Sequence, residues 1–265
     1  MKPAPFDYHA PSSVDEALPQ LGPDSAVLAG GQSLVPLLNL RLARPERVVD
    51  INGITELDYV RADDGALRIG ALTRQAALER SELVRRSVPL LHKAISYVGH
   101  PQIRTRGTVG GSVAHADPAA ELPVALIALG ASFLLRSPAG SRTLAASDFF
   151  LGPLYTAREP DELLVEIEVP EPPQGARSGF AEHARTHGDF ATAGAAAVIA
   201  PGGYARIALL GAGPVPLRAE AAERGLADGA EPREAAALAV GDIEDEHRRA
   251  LCAELARRAI EQALA

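Results

Sequence analysis

Apolar positions along this chain fall into short runs and helical stripes that alternate in a readable order. Ala26-Val27-Leu28-Ala29 is a compact apolar run ended by Gly30-Gly31, the pattern of a short buried strand. Leu34, Leu37, Leu38 and Leu42 then recur at helical spacing, with Ser33 placed to cap the helix and Pro36 tolerable in its first turn. Arg47-Val48-Val49-Asp50-Ile51 returns to a strand pattern, so this region predicts a compact β–α–β unit. A strand over 66–72 follows, with Thr73 placed to cap a helix through Glu79 and a longer helical stretch over 81–98 interrupted by Pro89. An apolar helix over 122–129, a hairpin of 132–136 with 142–144, and an alternating strand over 163–169 come next.

Pro170-Glu171-Pro172-Pro173-Gln174-Gly175 is the strongest linker signal in the chain. Beyond it the pattern changes. Three short strands are expected at 180–185, 193–200 and 204–210, and everything after Pro216 reads as helical with a break near 228–232. Strands followed by helices predict a small α+β domain over 176–265, after a larger one over 1–175. A length of 265 residues has room for two domains at roughly 150 residues each.

Composition removes several classes of function. With 47% hydrophobic and 23% charged residues the chain can bury a core, and a net charge of −8 has the wrong sign for a protein built around nucleic-acid phosphates. The most apolar stretch, Leu122 to Leu135, is broken by Pro123, Gly130 and Ser132 and is shorter than the roughly 20 residues of a membrane span. No basic segment followed by an apolar run opens the chain, which makes the cytoplasm the expected compartment. The single cysteine, Cys252, excludes an intramolecular disulfide, a Cys-ligated iron–sulfur cluster and a Cys-rich zinc site, and its helical context predicts a buried thiol. Any redox metal this protein uses must sit on another chain.

Two glycine pairs are the informative chemistry. Gly30-Gly31 and Gly110-Gly111 each stand after an extended segment and before a helix, with Ser33, Thr108 and Ser112 adjoining. Such a turn can expose consecutive N–H groups and admit a phosphate with no Cβ in the way, or it can be turn punctuation and nothing more. His115 suits a ligand contact or a buried hydrogen-bonded histidine equally, and Asp117 with Glu121 suits a helix start electrostatically. Gly211-Ala212-Gly213-Pro214-Val215-Pro216 imitates a dinucleotide fingerprint, but it lacks the third glycine and its prolines remove donors, so a turn is expected. His183 and His187 are four apart, but Gly188 and the predicted strand context argue against a metal pair. No metal site and no catalytic acid, base or nucleophile set emerges.

The ordered motifs do identify a family. Ala29-Gly30-Gly31-Gln32-Ser33-Leu34, then Gln102-Ile103-Arg104 with Gly107-Thr108-Val109-Gly110-Gly111-Ser112, then Asp117-Pro118-Ala119-Ala120-Glu121 resemble the FAD-binding medium subunit of molybdenum hydroxylases. That family includes the flavoprotein subunits of aerobic carbon monoxide dehydrogenases and the FAD domain of xanthine dehydrogenase. The resemblance continues through Asp148-Phe149-Phe150, Pro160–Leu164, Phe180–Ala191 and Gly211–Arg218, and so spans nearly the whole chain. It implies an α+β fold: a two-part FAD-binding domain of the vanillyl-alcohol-oxidase (PCMH) type, divided near residue 55, then a small domain of three antiparallel strands and helices. It also implies noncovalent FAD, with both glycine loops (Ala29 to Leu34, and Thr108, Val109, Gly110, Gly111 and Ser112) at the pyrophosphate. His115, Asp117 and Glu121 would line the cofactor, and Phe190 would lie over the isoalloxazine ring. Glu121 stands where relatives often carry Asp, and Ala181 where some carry Lys.

The implied role is electron transfer from the [2Fe–2S] clusters of a small subunit to an external acceptor. Molybdopterin would belong to a large subunit that selects the substrate, whether carbon monoxide, a purine, an N-heterocycle or an aldehyde, in a dimer of heterotrimers. A self-contained flavin oxidase of the same fold and a noncatalytic scaffold are the competing expectations.

Overall fold

The structure is a computed structural model that describes residues 2–265. The chain opens with β1 (Asp7–His9), α1 (Val14–Ala17), β2 (Ser25–Leu28), α2 (Leu34–Asn39) and β3 (Arg47–Asp50). The three strands form a parallel sheet in the order β1-β3-β2, so the expected β–α–β unit is present with a further strand at its edge. Sequence periodicity does not announce β1, because all three of its residues are exposed. Ser33 is not a cap: it already has helical dihedrals, and its side chain makes no capping bond.

The middle of the chain runs through β4 (Val60–Asp63), β5 (Ala66–Gly70), α3 (Gln75–Arg80), α4 (Glu82–Ser87), α5 (Pro89–Ile95), α6 (Pro101–Arg106), α7 (Val109–His115) and α8 (Glu121–Leu129). It continues with β6 (Ser132–Ser137), β7 (Gly140–Ala145), α9 (Ala146–Phe149), β8 (Phe150–Gly152), β9 (Tyr155–Thr156) and β10 (Leu163–Pro170). A five-stranded antiparallel sheet results, ordered β4-β5-β10-β6-β7. Pro89 does break the predicted long helix, by starting α5 where its missing N–H costs nothing. Thr73 is not the cap of α3; its buried hydroxyl donates to the Tyr59 carbonyl at 2.8 Å.

Helix α8 is buried on every side, as a helix apolar all round must be, and it ends at Gly130 with φ +68°. It packs against α5, α7, β12 (Ala191–Ala200) and β13 (Tyr204–Leu210), tying the last third of the chain to the rest. Those strands, with β11 (Arg177–Ala184) and the two-residue β14 (Leu217–Arg218), make an antiparallel sheet in chain order, one short strand more than expected. Three helices complete the chain: α10 (Glu220–Ala227), α11 (Pro232–Ala239) and α12 (Glu246–Leu264). The expected break falls between α10 and α11, and a second separates α11 from α12. Cys252 is buried in α12. Among the described residues no helix is long and apolar enough to cross a membrane.

Strand β12, Ala-Thr-Ala-Gly-Ala-Ala-Ala-Val-Ile-Ala, is almost entirely small residues. Its side chains alternate between two cores: Ala196 and Val198 face the one built on α8, while Ala193, Ala195 and Ala197 face the one built on α12. Small side chains let helices approach closely from both sides. On the α12 side, a Cβ at Gly179 of β11 would overlap the Ala259 carbonyl oxygen and lie 2.8 Å from the Cβ of Gln262. Gly179→Ala should therefore push α12 off the sheet and destabilise the protein by about 1–3 kcal/mol, the usual range for overpacking. A thermal melt checks this, and an unchanged Tm would show that α12 can slide without penalty.

Candidate cofactor cleft

A cleft of about 690 Å³ runs from the end of β2 past α2 and α7 to the loop between β11 and β12. The size suits a large organic cofactor. The first glycine loop forms one wall. Gly31 takes φ +71°, the left-handed region that favours glycine, and Gln32 Nε2 folds back to the Gly30 carbonyl at 3.0 Å. Among the described residues the N–H groups of Gly30, Gly31, Gln32 and Ser33 find no protein acceptor. Four adjacent unpaired donors on a cleft wall are a site for an anion.

The second glycine pair is built differently. It is not an open turn but the first turn of α7, with Thr108 as its cap: Thr108 Oγ1 accepts from the Gly111 N–H at 3.0 Å. The Gly110 N–H donates to the Ala71 carbonyl and the Val109 N–H to the Thr73 carbonyl, both at 3.0 Å. These donors are already used by the protein. A Cβ on Gly110 would come within 2.5 Å of the Ala71 Cβ, so this glycine is needed for close packing.

The two loops touch. A Cβ on Gly30 would overlap the Arg106 carbonyl oxygen and lie 2.8 Å from the Gly107 Cα. Arg74 braces this contact, its Nη1 donating to the Arg106 carbonyl at 2.5 Å and its Nη2 to Asn52 Oδ1 at 2.6 Å. Asn52 in turn donates to the Ala29 carbonyl at 2.8 Å.

Acidic groups gather at the start of α8. Asp117 Oδ1 accepts from the Ala119 N–H at 2.9 Å and shapes the turn into the helix. Glu121 is only 6% exposed; burial pushes its carboxyl up to about 7, Asp117 adds to the rise, and Glu121's own N–H opposes it. Glu182, on β11, has a buried Oε2 with no partner, and burial together with the charge of Glu121 pushes it up to about 8. At the opposite end Gly188, at φ +87°, packs against His100 and presents Phe190, 77% exposed, to the cleft.

The cleft brings together every candidate cofactor-contact residue except Val109, which is buried in the core. It also draws on residues that carry no sequence signal of their own. Gln75 contributes a buried Oε1 with no partner, and Arg158 contributes to the wall just before β10. No group of three or more His, Cys, Asp or Glu side chains able to hold a metal occurs among the described residues.

A two-sheet unit with an added β-sheet and helix layer, and an unpaired N–H loop facing a cleft, has the form of a protein that holds an anionic organic cofactor. Residues 4–172 match the family of FAD-binding domains in molybdopterin dehydrogenases. The chain is 46% identical to the caffeine dehydrogenase subunit beta of Pseudomonas sp. (strain CBB1), covering 85% of this chain and 79% of that one. Carbon monoxide dehydrogenase from Hydrogenophaga pseudoflava superposes with a TM-score of 0.94 at 41% identity, over 100% of this chain and 99% of the other. Quinoline 2-oxidoreductase from Pseudomonas putida 86 gives 0.91 at 36% identity, over 99% and 98%. The chain therefore belongs to the FAD-binding subunit family of the molybdenum hydroxylases, and it is an oxidoreductase subunit.

The raised carboxyls carry a pH signature. A carboxyl whose pKa is higher folded than unfolded binds protons more tightly in the native state, so its stability contribution is lost as pH rises from about 4.5 toward 8. The flavin-free chain should melt lower at pH 8.5 than at pH 5.5. Glu182→Gln, which removes the unpaired buried charge, should raise Tm at pH 8.5 by roughly 2–6 °C and by distinctly less at pH 5.5. Identical pH slopes in the two proteins would show that Glu182 ionises freely in water.

Proposed function

We propose that this chain is the electron-transferring flavin subunit of a three-component molybdenum hydroxylase. It would accept electrons from the [2Fe–2S] clusters of a small subunit and deliver them to an external acceptor, while a molybdopterin-bearing large subunit oxidises the substrate. The assembly is a dimer of such heterotrimers working in the cytoplasm. The observation that carries this reading is the cleft with its unpaired N–H loop in a chain whose only cysteine is buried in α12. Redox chemistry here needs a bound organic carrier.

FAD, when bound, supplies chemistry that accepts and releases electrons singly or in pairs. The residues of this chain hold and orient it. The N–H groups of Gly30 to Ser33 would take the pyrophosphate, with the hydroxyls of Thr108 and Ser112 beside them. His115, Asp117 and Glu121 would line the middle of the cofactor, and Phe190 would cover the ring where the cleft opens. Residues 1–175 act as the FAD-binding domain and 176–265 as the domain that brings Phe190 to it. On this reading the substrate is oxidised on the large subunit and the cleft holds only the cofactor.

Flavin bleaching tests the assignment. Released cofactor should have the mass of FAD. Anaerobic addition of the large subunit's substrate should bleach the flavin rapidly in the assembled complex and not in the isolated chain. Rapid bleaching of the isolated chain by a small organic substrate would instead identify a stand-alone flavin enzyme.

A second measurement addresses Phe190. With its ring so exposed, Phe190→Ala should leave Tm within about 1 °C while changing the fluorescence yield of bound flavin at least twofold. An unaltered flavin spectrum would remove Phe190 from the ring.

A further inference from the structure

Charge in the cleft is unbalanced for the ligand it is proposed to take. Its lining includes Asp117, Glu121, Glu162 and Asp189, and Arg158 is the one lysine or arginine among the described lining residues. An FAD pyrophosphate brings two further negative charges. Backbone N–H groups supply only partial positive charge, so a dianion in this acidic cleft is best held by a fixed cation.

Arg158 is built for that task. It stands on the tight turn between β9 and β10, its own N–H donating to Thr156 Oγ1 at 3.3 Å. Its Nη1 donates to two carbonyls of the same turn, Glu159 at 3.0 Å and Glu162 at 2.7 Å. This clamps the guanidinium plane while Nε and Nη2 find no acceptor among the described residues. The nearest carboxylate does not consume them. Glu162 is taken by Arg142, Nε to Oε1 at 2.6 Å and Nη2 to Oε2 at 2.8 Å, and its Oε2 also accepts from the Glu159 N–H at 2.7 Å. Burial pushes the Arg158 pKa down while Glu162 and Asp161 act the other way, and a guanidinium remains charged throughout the working pH range. The turn and the first glycine loop line the same cleft. Leu163, which follows it, shares an apolar cluster with Val27 and Ala29.

We infer that Arg158 is the cationic contact of the cofactor's diphosphate, complementing the N–H groups of Gly30 to Ser33 within the same cleft. This rests on the FAD reading above. The guanidinium would contribute two charge-assisted hydrogen bonds from a preorganised fork, a geometry lysine cannot reproduce.

The test is equilibrium binding to the full chain stripped of flavin, with FAD, ADP and adenosine as probes at two salt concentrations. For Arg158→Gln, FAD and ADP should bind about 10–100-fold more weakly, with a shallower salt dependence, while adenosine is unaffected. Arg158→Lys should lose about 3–10-fold for FAD and ADP, and it carries the test alone if the glutamine variant does not fold. Wild-type affinity for FAD and ADP in either folded variant would overturn the assignment. So would an equal loss for adenosine, which would place the guanidinium on the base. Failure of the wild-type chain to bind FAD at all would count against the functional reading instead.

Discussion

The site depends on one close approach: the backbone of the Gly30 loop lying directly against the carbonyl of Arg106 and the Cα of Gly107. No side chain fits between them, so the cleft is shaped by two backbones in contact. That contact is held from behind by hydrogen bonds. The segment 71–75, which leaves β5, receives the Gly110 and Val109 N–H groups and donates the Gln75 N–H to the Gly107 carbonyl at 2.9 Å. Arg74, from the same segment, reaches Arg106 directly and the first loop through Asn52. Parts of the chain about 80 residues apart are thus fixed by polar contacts to main-chain atoms, which specify position more sharply than apolar packing does.

The consequence is a division between two glycine pairs that look alike. Gly30-Gly31 leaves its donors free and faces the cleft, whereas Gly110-Gly111 uses its donors to seat α7 against β5 and offers instead the hydroxyls of Thr108 and Ser112. A glycine pair that spends its donors on packing and one that leaves them free leave the same mark in a sequence. Only the partner segment distinguishes them, and that partner, Ala71, lies far away along the chain.

The same limit explains what sequence pattern revealed elsewhere. The β–α–β unit, the proline break at α5, the linker before β11 and the three long strands of the last sheet were legible, because each rests on local periodicity or on proline and glycine chemistry. Strands β1, β4 and β14 were not, since exposed edge strands bury no alternate face. Hydroxyls before helices were read less well. Thr73 and Ser33 looked like caps, yet Thr73 bonds Tyr59 and Ser33 makes no capping bond, while Thr108 is a cap that the sequence did not single out as one. Most of the cleft lining was legible through the family's ordered motifs. Gln75 and Arg158 were not, because their value comes from long-range neighbours.

Strand β12 gives the last third of the chain its part in the cleft. A strand of alanines can be packed closely from both faces, so α8 and α12 clamp it and leave the loop that precedes it little freedom. That loop is seated further by Gly188 against His100, at the start of α6. Helix α8 is thus shared: its first residue, Glu121, lines the cofactor cleft, and its flank is the wall on which β12 and β13 rest. Any shift of the C-terminal layer would move the exposed Phe190 relative to the first glycine loop. Placement of one aromatic edge against a loop of unpaired N–H groups is what the fold can contribute to electron transfer, because the rate depends on where the carrier is held.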